Sequence, residues 1–230
     1  MDATRIFWFT LKLLVVTIGI CGAFREKTVE DYVDNVIGLS YANINDKIPD
    51  NKSVVLKNVE IFLNDSLDPH FFSEISLGKF SGLGTTFRRA GSCYVKEKRI
   101  DFRISCKVEF QGLHVQLPTV KNDGTIITLF INATGNLYLS WPKDDNPVKV
   151  NIITLSNVTF KMKAYNTYGV ESSTMPPTYS LDNDSPTQFK DTYKLLFQHL
   201  ITQGAFKDAL ELTFENVPEH PSLRKAEAHL

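Results

Sequence analysis

Residues 99–117 read RIDFRISCKVEFQGLHVQL. Ile100, Phe102, Ile104, Cys106, Val108 and Phe110 occupy one parity of this run. Arg99, Asp101, Arg103, Ser105, Lys107 and Glu109 occupy the other. Successive side chains of an extended chain point to opposite faces, so strict alternation over this length describes a half-buried antiparallel strand. At Gln111-Gly112 the parity slips, and Leu113, Val115 and Leu117 become the apolar set. A one-residue slip beside glycine is the mark of a β-bulge, which bends its strand.

Outward from this stretch the same period recurs. Upstream, Cys93 shares a face with Val95 and lies an odd number of residues from Cys106. That parity permits direct opposition across a hairpin turning near Lys98 to Asp101, with a Cys93–Cys106 bridge on the inner face; the alternative is two buried free thiols. Further upstream, Val55, Val59, Ile61 and Leu63 form one set and Leu56, Asn58, Glu60 and Phe62 the other. Ser76 to Val95 is a strand region broken by glycines. Downstream, Ile127, Leu129 and Ile131 are followed by a turn signal at Gly135-Asn136, then Leu137, Leu139 and Trp141. Val148, Val150, Ile152, Val158, Phe160, Met162 and Ala164 all fall on even positions. Strands this long suit an elongated sheet better than a compact sandwich, whose strands usually run about five or six residues.

Two segments carry the helical period instead. Val29, Tyr32, Val33, Val36, Ile37 and Ile44 form a stripe behind Thr28 and Asp31. Ser185-Pro186-Thr187-Gln188 is a capping box with proline at the first helical position. Phe189, Tyr193, Leu196, Phe197, Leu200 and Ile201 follow as a wide aromatic stripe, which Phe206, Leu210, Phe214 and Val217 extend past an interruption at Gly204. An apolar sheet face must be covered, and these helices are the available cover. The expected fold is α+β: a long C-terminal helix wrapped by a strongly curved antiparallel β-sheet, with an N-terminal helix.

Residues 1–23 read as a signal peptide. Arg5 and Lys12 supply its positive flank, a short apolar core runs from Leu13 to Cys21, and Cys21-Gly22-Ala23 ends it before Phe24. The alternative is a membrane anchor, which needs roughly 20 apolar residues and is interrupted here by Thr10 and Lys12. The expectation is therefore a secreted, extracellular protein with a single domain over residues 24–230. An oxidising compartment agrees with a disulfide. Asn51, Asn64, Asn132 and Asn157 each head an Asn-X-Ser/Thr acceptor for N-glycosylation.

The chain has 25 Lys and Arg against 26 Asp and Glu, a net charge of −1. That balance lacks the basic footprint of a nucleic-acid binder. No GxSxG, HExxH or CxxC occurs, Gly82-Leu83-Gly84 is a lone GxG, and the five histidines have no ligand spacing. The reading is of a chain without catalytic residues, metal or cofactor. The Lys96-Glu97-Lys98-Arg99 run reads as a hairpin end with a possible transient membrane-surface contact.

The run from Leu77 to Leu83 (LGKFSGL), then Phe87-Arg88-Arg89-Ala90-Gly91, then the long alternating strand, resembles the arthropod group 7 mite-allergen family. That family is similar to the juvenile-hormone-binding (takeout-like) proteins and to the tubular lipid-binding superfamily. The resemblance implies a super-roll with an internal hydrophobic cavity, and a non-catalytic secreted binder of a lipid or another hydrophobic small molecule. The mature chain lacks the N-terminal cysteine pair of the hormone-binding relatives. In this reading the ligand lies between the sheet residues Phe102, Ile104, Val108, Leu139, Phe160 and Met162 and the helix residues Phe189, Tyr193, Phe197 and Leu200, in a monomer or weak dimer. The competing reading is a secreted glycoprotein interaction module with a fully packed core, recognising a microbial surface or a protein. A third is an adhesion-type β-sandwich.

Overall fold

Six antiparallel strands carry the two-residue period: β1 Ser53–Ile61, β2 His70–Ser81, β3 Phe87–Glu97, β4 Asp101–Gln116, β5 Ile126–Pro142 and β6 Lys149–Tyr165. Among the described residues, three helices carry the other: α1 Val29–Lys47, α2 Pro186–Thr202 and α3 Ala205–Asn216. This computed structural model describes residues 28–62, 69–117, 125–144, 146–165, 168–171 and 186–217. The expected signal segment and Asn64 lie outside the described residues, so neither is placed. All nine elements belong to one unit, Val29–Glu219.

The sheet runs in the order β1-β2-β4-β5-β6, with β3 also paired to β4. One edge of β4 is taken by β5 along its length. The other is shared: β3 pairs with Phe102 to Phe110, and β2 with His114 to Gln116. The switch between the two partners falls at the expected bulge. The β4–β5 register shifts between Phe110 and Leu113, and Gly112 has φ +68°, a conformation glycine adopts without Cβ strain. Ile104, Cys106, Val108 and Phe110 before the slip, and Leu113 and Val115 after it, are all buried. Ile100 departs from the pattern: it is 75% exposed at the hairpin tip, where the Lys98 amide donates to the Asp101 carbonyl.

The expected wrapping requires correction. The sheet is open and not strongly curled, and the C-terminal rod is two helices. The break lies at Gln203-Gly204, where Gly204 is extended (φ −103°, ψ −159°). The cover is consequently divided. α1 packs on α3 and β3, while α2 touches β6 on one flank and β1 and β2 on the other. With a helix pair sharing the burial, the sheet need not close around one rod. The α1 stripe is buried as read, from Val29 through Ile44. Tyr32 meets Trp141 at a tilt and Phe214 edge-on (ring centroids 5.1 and 6.1 Å), and the Asn43 side-chain amide donates to Thr213 Oγ1 at 2.8 Å. Outside this contact, Arg89 forks onto Asp34 at 2.9 and 2.6 Å, and that hydrogen bond raises the arginine pKa.

Three further expectations require correction. In β1, Leu56 is buried and Val55 is 41% exposed, because Asn58 at φ +52° resets the parity before Val59 and Ile61. Gly135-Asn136 is not a turn; β5 runs through it as a 17-residue strand. β6 is continuous as read, but its pairing with β5 shifts at Thr134/Gly135 and at Tyr138/Leu139. Between those two slips Ile152 turns outward and Ile153 inward; beyond them Val158 returns to the buried parity.

Cys93 and Cys106 are directly opposed on β3 and β4 and form the disulfide. Cys106 is fully buried, and the Cys93 amide donates to Glu30 Oε1 of α1 at 3.0 Å. The loop closed has a separation of 13 residues. Its restriction of the unfolded chain is worth about 3 kcal/mol. A Cys93→Ala/Cys106→Ala double variant should lose that amount in urea unfolding, with little change in the far-ultraviolet circular dichroism of the folded state.

Candidate functional site

α2 places its aromatic stripe on the apolar face of the sheet. Phe189, Tyr193, Phe197 and Leu200 recur at spacings of three and four, so they share one side of the helix, and all four are buried. Tyr193 fixes the helix in position. Its hydroxyl donates to the Leu77 carbonyl of β2 at 2.8 Å, and its ring meets Phe160 of β6 edge-on at 5.6 Å and Phe189 at 5.8 Å. On the same helix, Gln198 Nε2 donates to the Leu155 carbonyl of β6 at 3.2 Å. α2 is thus bonded to strands on both flanks of the sheet.

Phe197 belongs to a second cluster. It lies parallel to Phe80 at 6.3 Å and edge-on to Phe110 at 6.0 Å; Phe110 in turn touches Phe87 (4.9 Å) and Phe206 (5.4 Å). Ile104 and Leu139 are paired across β4 and β5, and both are buried, as is Val108. Phe160 and Met162 are only half-buried, on the β6 side of the Tyr193 contact. Phe102 stands apart from these groups: it is half-buried at the hairpin end of β4, with Lys143 Nζ 5.1 Å from its ring centre. The proposed ligand set therefore divides into the Phe160–Tyr193–Phe189 group, the Phe197 cluster, the Ile104–Leu139 pair with Val108, and an outlying Phe102.

Among the described residues, two buried side-chain polar atoms have no hydrogen-bond partner, Thr192 Oγ1 on α2 and Trp141 Nε1 on β5. A buried unpaired hydroxyl costs about 1–3 kcal/mol. Thr192 immediately precedes Tyr193 on α2, one residue around the helix from the aromatic face.

The acceptor asparagines are exposed where described. Asn132 and Asn157 lie on neighbouring strands, with Asn132 opposite Thr159 and Asn157 opposite Thr134. They line a shallow polar groove of about 540 Å³ with Glu109, Gln111 and Thr134. Asn132 Oδ1 accepts from the Gly112 amide at 2.7 Å, which seats the bulge against β5. Asn51 lies in the turn before β1 at φ +60°, its side-chain oxygen accepting from Ser81 Oγ at 2.7 Å.

A feature that the sequence pattern did not reveal lies at the free side of β1. A groove of about 370 Å³ runs between β1, the α1–β1 loop and the elbow joining α2 to α3. Its residues come from positions 47–59 and 199–205. No local motif could join two segments so far apart in sequence. Elsewhere, Asp50 accepts from the Tyr41 phenol at 3.1 Å and raises its pKa. Glu171 does the same for Lys163 on β6.

Among the described residues, no three His, Cys, Asp or Glu side chains are grouped to hold a metal ion, and no helix is long and apolar enough to cross a membrane. Comparison with protein-family models finds no match, and comparison with curated proteins finds none either.

Proposed function

We propose that this chain is a non-catalytic, secreted carrier or sensor of an apolar small molecule, held between α2 and the inner face of the sheet. The supporting observation is the seam along α2. Tyr193, Phe189 and Phe160 form an aromatic group that is buried on the helix side and half-open at Phe160 and Met162 on β6. Apolar sites are lined in this way, by aromatics and methionine with few polar groups. Thr192 Oγ1, buried without a partner, is a polar atom that a ligand's single oxygen or nitrogen could satisfy. The resemblance to the group 7 mite-allergen and takeout-like families supports a ligand-binding role, while the open sheet departs from their rolled one.

The reading is tested with an environment-sensitive apolar fluorophore titrated into the purified full chain. Saturable enhancement is expected, and Phe160→Lys should weaken it by placing a charge at the open end of the seam. A chain that leaves the probe unaffected at protein concentrations well above the micromolar range contradicts it.

One observation favours the alternative of an interaction module. Tyr94, Ser105, Tyr138 and Ile152 stand in one register row across β3, β4, β5 and β6. Tyr94 and Ile152 are 68% and 55% exposed on the outer face. An aromatic and aliphatic row in solvent is the kind of surface a macromolecular partner covers.

A further inference from the structure

The groove beside β1 combines an apolar floor with a cationic rim. Ile48, Leu56, Val59 and Leu200 line it, each under a tenth exposed. Lys47, Lys52, Lys57 and His199 also line it, and no carboxylate does. Lys57 Nζ stands 4.0 Å from Glu74 Oε2, with both side chains well exposed. Lys47 and Lys52 have no ion-pair partner among the described residues. In a chain of net charge −1, this local excess of positive charge around buried aliphatic side chains selects by sign as well as by polarity.

We infer that this groove seats the anionic head of a single-chain amphiphile, a long-chain carboxylate being the simplest case. Three observations carry the assignment. The lining includes lysines from three separate positions, the end of α1 (Lys47), the turn before β1 (Lys52) and β1 itself (Lys57), all three exposed to solvent. The floor is aliphatic, so an inorganic anion alone would leave it uncovered. The size is limiting: at about 30 Å³ for a water-sized group, 370 Å³ holds on the order of a dozen such groups, a head and the first part of a chain. The remainder must continue elsewhere, and Leu200 indicates where. It lines the groove and lies on the same face of α2 as Phe197 and Tyr193, so a tail extended along that face runs toward the aromatic seam, and the buried Leu200 and Phe197 side chains must shift to admit it. This step rests on the carrier reading, which it extends from apolar molecules in general to those with one acidic end.

The two can fail separately. The full chain is titrated with palmitate and with hexadecanol, which share a sixteen-carbon chain and differ in the charge of the head. Both titrations are repeated on a Lys47→Glu/Lys52→Glu variant whose fold is verified by circular dichroism. The wild type should bind palmitate about ten-fold more tightly than hexadecanol. The variant should lose that preference. Equal affinities in the wild type, or a preference that survives the double charge reversal, would overturn the head-group site while leaving the carrier reading intact. Binding of neither probe would overturn both. Should this pair of charge reversals unfold the chain, Lys47→Gln/Lys52→Gln serves in its place, with the preference expected to fall by at least half.

Discussion

Truncating Phe110 to alanine should destabilise the fold by about 3–5 kcal/mol, the usual cost of emptying a fully buried aromatic site. Phe110 has no solvent exposure and lies where four elements meet. Its ring touches Phe87 of β3, Phe197 of α2 and Phe206 of α3, and its backbone is the last paired position of β4 before the bulge. The three neighbouring rings cannot all move into the space, because Phe197 is held by Phe80 and Phe87 by Phe206. Against a typical total stability of about 5–15 kcal/mol, this loss is about a fifth or more of the whole. In a domain of this size it corresponds to a Tm lower by roughly 10 °C. Urea unfolding measures it. The exposed Tyr94→Ala should stay within about 0.5 kcal/mol of wild type and serves as the control. A Phe110→Ala protein as stable as that control would mean that the helices do not pack on β4 as described.

Gly135→Val should cost about 3 kcal/mol, at the upper end of what overpacking produces. A Cβ at Gly135 would stand 1.8 Å from the Thr154 carbonyl oxygen and 2.8 Å from its carbon. Both are backbone atoms of β6, so no rotamer change relieves the clash. The strands must separate at the slip beside Thr134. Amide hydrogen exchange should therefore accelerate first around Thr154 and Leu155, and by less near Ile131 and Leu129. Gly38→Ala predicts the opposite sign. Gly38 is in the middle of α1 with nothing within 4 Å of a new Cβ, and alanine there should stabilise by about 0.5–1 kcal/mol. Two glycine substitutions with opposite outcomes separate close backbone approach from helix propensity.

Gly135 also illustrates where a sequence reading stops. Beside an asparagine, glycine is a turn signal, and the local chain offers no reason to prefer another meaning. The position that requires it is Thr154, on the next strand. The same applies to Ile152 and Ile153: two apolar neighbours allow either parity, and the choice is made by the slips in the β5 register. By contrast, the parity change at Gly112, the opposed Cys93 and Cys106, the start of α2 at Pro186 and the buried stripe of α1 depend on neighbours within a few residues or on an invariant of strand geometry, and were legible. The shape of the sheet was not. Alternation states which face is apolar, but how far a sheet curls depends on what covers that face. Here the covering is divided by the break at Gly204 and by the pairing of α1 with α3.

The candidate site divides in the same way. The stripe Phe189, Tyr193, Phe197 and Leu200 follows from helical spacing alone. Its partners do not: Tyr193 reaches the Leu77 carbonyl, a backbone atom that no side-chain pattern can report. Phe102 shared the parity of the inner set, yet the strand ends beneath Lys143 and leaves that ring at the rim. The cationic groove was invisible for a related reason, because lysines at the end of a helix and in a turn read as ordinary solvated charge until the α2–α3 elbow is placed opposite them.

Native mass spectrometry of the full chain, purified from a secreting host without detergent or added lipid, tests the central claim most directly. The account predicts a population heavier than the polypeptide and its glycans by the mass of a small apolar or amphiphilic molecule, released by an organic solvent. A protein that is consistently empty, and that stays so after incubation with palmitate and hexadecanol, would contradict it.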